Sequence, residues 1–431
     1  MVLDTSSDAA WVPCSGCTGC AASSAVFTPK ASSTYSSLDC SVPECTKVSG
    51  VSCPATDAAT SCSFNQSYGG DSSFSAILSH DTLWLANDAI PNYAFGCINS
   101  VSGGSVPPQG LLGMGRGSMS LLSQSGSLYS GVFSYCLPSF KSYYFSGSLK
   151  LGPLGQPKNI RTTPLLKNPH RPSLYYVNLT GVSIGKVQVP IAQEPLAFDP
   201  NTGAGTIIDS GTVITRFVQP VYNAIRDEFR KQVKGPFSSL GAFDTCFLAT
   251  NEDIAPPVVL HFTGMDLVLP MENSLIHSSS GSLACLAMAA APNNVNSVLN
   301  IIANFQQQNL RILFDTVNYR LGPGIGIDGT DRDPCTPYSF VREVNRGMCP
   351  IRPENKSCLY ATPTRSPISC LRNRTPTLWL SARREITSPP SFAPLGYARE
   401  AIEGILCGCI WGGGQGKWGF CNICKWEGGC R

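Results

Sequence analysis

Two carboxylates lie far apart along the chain in matching surroundings: Asp4 within Val2-Leu3-Asp4-Thr5-Ser6-Ser7, and Asp209 within Ile207-Ile208-Asp209-Ser210-Gly211-Thr212. In each, two apolar residues run into an acid followed by small or hydroxyl-bearing residues, the composition of a turn whose side chains bond their own backbone. Carboxylates held close together do chemistry that neither does alone. Like charges at short range resist joint ionisation, so the pair keeps one proton between its members, one acting as base and the other as acid. Such a pair can take a proton from water while giving one to an amide carbonyl, and so hydrolyse a peptide bond without a metal or a nucleophilic side chain. Sequence spacing does not bring Asp4 to Asp209; a fold must.

Other residues able to do chemistry are less well grouped. His80, His170, His261 and His277 are dispersed, with no metal-ligand spacing and no Ser-His-Asp grouping. Residues 113–118, GMGRGS, have the glycines of a phosphate-cradling loop but lack the Lys-Ser/Thr that a P-loop needs. Cys407, Cys409, Cys421 and Cys424 can be drawn around a zinc ion, but their spacing matches such sites poorly. Neither a metal nor an organic cofactor is expected. A net charge of +3 without a dense basic run gives nucleic acid no footing. No apolar run approaches the roughly 20 residues of a membrane-spanning helix.

The elements that must position the acids are mostly strands. Residues 1 to about 322 carry short alternating or β-branched runs, such as YYVNLTGVSI at 175–184, between Gly, Pro, Ser and Asn clusters. One helix is predicted, over QPVYNAIRDEFRKQV at 219–233, with Pro220 near its start and Val221, Ile225, Phe229 and Val233 along one stripe. The acid turns belong to a longer repeat: Leu111-Leu112-Gly113 after the first is echoed by Ile301-Ile302-Ala303 after the second. Two similar lobes follow, each contributing one carboxylate, with boundaries at 1–165 and 166–322. Residues 323–431 change character, holding nine of the twenty cysteines with no sustained period, and are expected to be an unrelated, disordered tail.

Twenty cysteines imply disulfides and an oxidising compartment, hence the secretory route. Asn65-Gln66-Ser67 and Asn178-Leu179-Thr180 are glycosylation acceptor triplets in that setting. Residues 1–322 hold eleven cysteines, so one is expected to remain unpaired unless Cys335 completes it.

Five segments together resemble the pepsin-like aspartic proteases, particularly their nepenthesin-like and nucellin-like plant branch: LDTSSDAAWVPC at 3–14, YGG at 68–70, QGLLGMGRGSMSLLSQ at 109–124, GTIIDSGTVITR at 205–216 and NIIANFQQQNLRILFDTVNYRLG at 300–322. The resemblance implies a mostly-β, bilobal acid-protease fold with its cleft between two pseudo-symmetric lobes, and an aspartic endopeptidase acting on extended polypeptide. It makes Asp4 and Asp209 the catalytic pair. Thr5 and Ser210 match hydroxyls that reach across the lobe interface, while Ser7 and Thr212 match those that hold the carboxylates coplanar. Ser6 and Gly211 occupy the small-residue positions of the two turns. Tyr68, followed by Gly69, resembles the tip of a flap over the substrate, and Trp11 an aromatic on the pocket side of the first lobe. Cys14, Cys17, Cys20, Cys40, Cys45, Cys53 and Cys62 resemble a disulfide-laced insertion; with Cys97, Cys136, Cys246 and Cys285 their pairing stays open. A monomer is expected, exported to the cell-wall space or the vacuole, with a plastid as the alternative.

Three departures qualify the resemblance. Ser6 stands where most of the family has glycine; a side chain there can crowd the site or add a hydrogen bond to the carboxylate, so altered pH dependence is expected rather than lost catalysis. Only three residues precede Asp4, and the chain diverges from the family after Gly322. Both ends are therefore expected to be those of an incomplete or mis-spliced gene product. The rival reading is a catalytically inactive protease-like binding protein of the same fold, such as the plant inhibitors of xylanases, or a non-functional truncated product. Both acids and all four hydroxyl partners favour the enzyme; Ser6 and the missing opening strands favour the rival.

Overall fold

The structure, a computed structural model, describes residues 1–323 apart from 23–25, 54–59, 69–70, 140–145, 158–159, 250–252, 279–280 and 294–296, together with the strand Thr377–Ser381. The molecule is mostly β and bilobal. In the first lobe an eight-stranded sheet runs Val2–Asp4, Leu111–Gly113, Ala10–Thr18, Asp88–Ser102, Ser72–Leu85, Ser63–Tyr68 and Val51–Ser52, with Ser36–Ser37 pairing on Ser72–Leu85. Val2–Asp4 lies parallel to Leu111–Gly113 with Asp4 opposite Gly113, and Trp11 of the next strand meets Leu111 from the other side in antiparallel register.

The second lobe repeats this pattern. Gly205–Ile208 runs parallel to Leu299–Ile302, and Arg216 of the strand Thr215–Phe217 meets Ile301 antiparallel. In both lobes a strand delivers an acid beside two large apolar residues, and the chain then turns back to flank them. Continuous apolar character is what strands buried on both faces require: Leu111, Leu112, Ile207, Ile208, Ile301 and Ile302 are all buried.

The halves meet in a further sheet. Val132–Cys136 from the first half pairs antiparallel with Arg311–Asp315 from the second, with Thr163–Pro164, Arg320–Pro323 and Ser146–Leu151 extending it. Phe133 and Phe314 stack across this seam at 4.6 Å between centroids, and Tyr175 meets Phe314 edge-on at 4.7 Å. Offset and edge-on ring pairs add about 0.5–1.5 kcal/mol each beyond their buried area. The seam therefore packs as core. Thr377–Ser381 adds a strand beside Ser146–Leu151; the rest of the tail expected to be disordered lies outside the described residues.

The predicted helix is present as Gln219–Gln232, with Pro220 in its first turn; Val221, Ile225 and Phe229 are fully buried and Val233 follows at its C-terminal cap. Five disulfides resolve the open pairing: Cys14–Cys97, Cys17–Cys20, Cys40–Cys53, Cys45–Cys62 and Cys246–Cys285. Cys136, the odd one of the eleven, is disulfide-bonded as well. Cys14–Cys97 spans 83 residues. In the chain-entropy view a loop that long removes about 4–5 kcal/mol of unfolded-state freedom, and it staples the strand after the first acid turn to its neighbour.

Candidate active site

The two acid turns meet back to back. Thr5 donates its backbone N–H to Ser210 Oγ at 3.2 Å, and Ser210 donates its own to Thr5 Oγ1 at 2.9 Å. Each hydroxyl then reaches a carbonyl of the opposite lobe: Ser210 Oγ to Leu3 at 2.8 Å and Thr5 Oγ1 to Ile208 at 3.4 Å. Both residues are wholly buried, where an unmade hydrogen bond would cost about 1–3 kcal/mol, so the lattice is self-enforcing. Asp4 and Asp209, one residue before each, are 7% and 3% exposed. Gly211 shows how tightly the turns abut: a Cβ there would stand 2.3 Å from Asp4 Oδ1. Only glycine lets the second turn approach so near the first carboxylate.

The carboxylates are held unequally. Asp4 Oδ1 accepts the Ser6 N–H at 2.8 Å, the Ser6 hydroxyl at 2.8 Å and the Ser7 N–H at 3.2 Å, while Oδ2 accepts the Ser7 hydroxyl at 2.7 Å. Asp209 accepts the Gly211 N–H at 2.8 Å and the Thr212 hydroxyl at 2.6 Å. Ser6, in the glycine position, is thus accommodated as an added donor, the second of the two outcomes expected of it. Burial, and then the charge of Asp4, push the Asp209 carboxyl up to about 7, against the opposing bonds from Thr212, Gly211 and Ser6. The Asp209 carboxyl therefore holds a proton in mildly acidic water. A buried pair sharing a proton can activate a water and protonate a carbonyl in one site.

Tyr68 ends the strand Ser63–Tyr68, and its phenol is pushed above its ordinary value by burial, then by the charges of Asp4 and Asp209. Its hydroxyl remains a proton donor near the dyad. Its ring lies against Trp11 at 5.8 Å, edge to face, and Phe74 at 6.2 Å. Trp11 itself is 1% exposed and sits in the first-lobe core beneath Tyr68. Gly69 lies outside the described residues. Cys40, Cys45 and Cys53 bring three sulfurs within 4.8 Å of one another, but they are ends of two disulfides and offer no thiolate to a metal.

Three sets of residues to which sequence reasoning gave no part in the site also hold the turns. Gly113, Gly115 and Gly117, the glycines of the apparent phosphate loop, enclose Asp8: a Cβ on Gly115 would lie 2.3 Å from Asp8 Oδ1 and one on Gly117 2.1 Å from Oδ2. Asp8 accepts the Gly117 N–H at 2.8 Å and the hydroxyl of Ser173, so the anion that this loop cradles is the protein's own. In the second lobe Asn304 donates to the Ser210 carbonyl at 3.0 Å. Gln307 donates to the carbonyls of Asp209 and Ile302 at 3.1 and 2.8 Å and accepts the hydroxyl of Tyr135. The signals available were alternating glycines without a P-loop lysine, and three consecutive glutamines beside a strand that must be buried.

Comparison with known proteins follows the same lines. Family models described as xylanase inhibitor N-terminal and xylanase inhibitor C-terminal match residues 1–153 and 174–322. Aspartyl protease AED3 of Arabidopsis thaliana is 69% identical over 324 residues, covering 75% of this chain and 72% of that one. Aspartyl protease 25 of Oryza sativa subsp. japonica is 57% identical, covering 75% and 77%. Nepenthesin-1, an aspartic proteinase of Nepenthes gracilis, is 37% identical over 74% and 72%. Among solved structures, conglutin gamma from lupine seeds superposes with a TM-score of 0.58 at 18% identity, covering 78% of this chain and 90% of that one. Basic 7S globulin from soybean gives 0.56 at 20%, covering 74% and 87%. These two share the fold.

Proposed function

The chain belongs to the plant branch of the pepsin-like aspartic proteases and is an aspartic endopeptidase, and on that premise we propose that Asp4 and Asp209 are its catalytic pair. The reciprocal bonding of Thr5 and Ser210 carries this reading, because it supports two buried acids meeting across the lobe interface. A water held between the carboxylates gives one proton to Asp4 as its oxygen attacks the scissile carbonyl carbon. Asp209 gives its proton to the carbonyl oxygen, leaving a neutral tetrahedral diol. Collapse returns a hydroxyl proton to Asp209 while Asp4 protonates the departing nitrogen, which breaks the C–N bond and restores the starting protonation. Ser6, Ser7, Gly211 and Thr212 fix the oxygens through these transfers, so little reorganisation accompanies them.

Tyr68, backed by Trp11, closes over the substrate with the hairpin that carries it and keeps bulk water out. The substrate is an extended polypeptide; its main chain pairs with the hairpin and its side chains enter apolar pockets. The described residues contain no helix long and apolar enough to cross a membrane. The disulfides fit the secretory route; the cell-wall space or vacuole is the proposed destination, and the proposed working form is a monomer.

The test compares the chain with Asp209→Asn, both made in an oxidising compartment, for pepstatin-sensitive cleavage of a denatured protein between about pH 3 and 6, where a shared-proton pair works. Cleavage by the parent alone is expected. Cleavage by both overturns the assignment of Asp209, and folded, soluble parent protein without activity turns the reading to binding by the same fold.

A further inference from the structure

The hairpin that carries Tyr68 has two unlike faces. Alternation along Ser63–Tyr68 sends Phe64, Gln66 and Tyr68 inward and Asn65 and Ser67 outward; Phe64 is fully buried, while Asn65 and Ser67 are exposed. Opposite them on Ser72–Leu85 stand Ser75 and Ser73. The outer face at this end is therefore an asparagine and three serines, with no charge and no large side chain. Among the described residues, neither Asn65 nor Ser67 spends its side chain on a hydrogen bond. The second acceptor triplet contrasts with this: Asn178 donates to Thr263 Oγ1 at 2.8 Å and Thr180 to the His261 carbonyl at 3.1 Å.

The same strand also has an open side. Among the described residues, Val51–Ser52 pairs only with Phe64 and Ser63, and the Asn65 N–H finds the Gly50 carbonyl at 2.9 Å. Among the described residues, Gln66 to Tyr68 then offer an unpaired strand edge, a template for pairing with another chain. Such an edge is a particular hazard on a protease flap, where a chain docked along it lies within reach of the dyad.

We propose that Asn65 carries an N-linked glycan on the outer face of the hairpin whose inner face presents Tyr68. Attachment joins Asn65 Nδ2 to the anomeric carbon of a lipid-linked oligosaccharide; the sugar–pyrophosphate bond breaks, the lipid pyrophosphate leaves and the amide gives up one proton. Ser67, on the same face, supplies the hydroxyl that the acceptor triplet requires. The glycan covers the open edge with hydrated bulk that cannot pair as a strand, and it leaves the substrate side of the hairpin clear.

The full chain behind a secretory leader is expressed in plant cells, and both cell-associated and secreted protein are treated to release glycans in H2(18)O, which converts a glycosylated asparagine to labelled aspartate. The peptide spanning residues 63–68 is read by mass spectrometry. Label at Asn65 in most molecules is expected, with none at this site in Asn65→Gln and none in Ser67→Ala, which keeps the asparagine. Unlabelled Asn65 in the parent overturns the proposal, as does full label in Ser67→Ala. The two variants should self-digest or self-associate severalfold faster; equal rates overturn the protective role.

Discussion

Tyr135 donates its phenolic proton to the side-chain carbonyl of Gln307, and the Gln307 amide in turn holds the main-chain carbonyl of Asp209 at 3.1 Å. Tyr135 lies on the strand shared between the lobes, so this chain of bonds ties the seam of the molecule to one of its two acids. Both side chains are at most 1% exposed. Replacing Gln307 by Leu leaves the carbonyls of Asp209 and Ile302 without this donor, whereas Tyr135→Phe removes one bond only. The expected result is a kcat about ten-fold lower in Gln307→Leu with KM little changed, and a smaller loss in Tyr135→Phe, since about 1.4 kcal/mol of misplacement is a factor of ten in rate. Steady-state kinetics with a peptide substrate checks the split; a fall in both variants confined to melting temperature would reduce the pair to a packing role.

Ser6 tunes the dyad through its hydroxyl. That hydroxyl bonds Asp4 Oδ1 and also opposes the upward shift of Asp209. Ser6→Gly removes the opposition, so Asp209 should hold its proton to higher pH. The alkaline limb of the kcat/KM profile is expected to move upward in Ser6→Gly while the maximal rate changes little. A pH profile of parent and variant decides it, and a downward move contradicts the assigned bond.

The raised carboxyl also makes stability depend on pH. Asp209 moves from 3.8 to about 7 on folding, so the folded state binds its proton more tightly than the unfolded chain does. The sign follows: the stabilisation is complete below about pH 4 and is lost as pH rises through the folded value. The melting temperature should therefore decline between pH 4 and 7 in the parent, and the decline should flatten in Asp209→Asn. Calorimetry across that range measures both slopes.

Asp8 is held by the Gly117 N–H and by the hydroxyl of Ser173, 165 residues farther along the chain. Asp8→Ala should cost about 1–3 kcal/mol by leaving these donors without their partner. Gly117→Ala should destabilise as well, because its Cβ would fall 2.1 Å from Asp8 Oδ2. If the clash is with the Asp8 carboxylate, the double variant will be more stable than the sum of the singles implies. Urea midpoints of the four proteins complete the cycle.

The strongest part of the fold was visible because it is written twice. Asp4 and Asp209, each followed by its hydroxyls and echoed by Leu111-Leu112-Gly113 and Ile301-Ile302-Ala303, announce two lobes and a shared site, and the strands pair in that register. Helix Gln219–Gln232 was visible for a similar reason, since a stripe at helical spacing and a proline at its start are local signals. What stayed hidden depends on distance along the chain. Gln307 meets Asp209 across 98 residues and Tyr135 across 172, and a side-chain amide bonded to a main-chain carbonyl leaves no pattern in either neighbourhood. Disulfide pairing was hidden likewise: Cys14 joins Cys97 while Cys17 joins its neighbour Cys20. The glycines around Asp8 were visible but were weighed as a cradle for a foreign phosphate, because their spacing reports a close backbone approach and not what approaches.

The strand Val132–Cys136 has Arg311–Asp315 as its partner along one edge, and Thr5 finds Ser210 across 205 residues. On a ribosome the first lobe emerges long before either partner exists. Its acid then stands alone, and one carboxylate has no neighbour with which to share a proton. Closing so long a loop is slow relative to local pairing. On the proposed pairing of Asp4 with Asp209, a chain halted midway through synthesis lacks the second acid, and hydrolytic power arrives once the second half has been made and the seam of the molecule has closed.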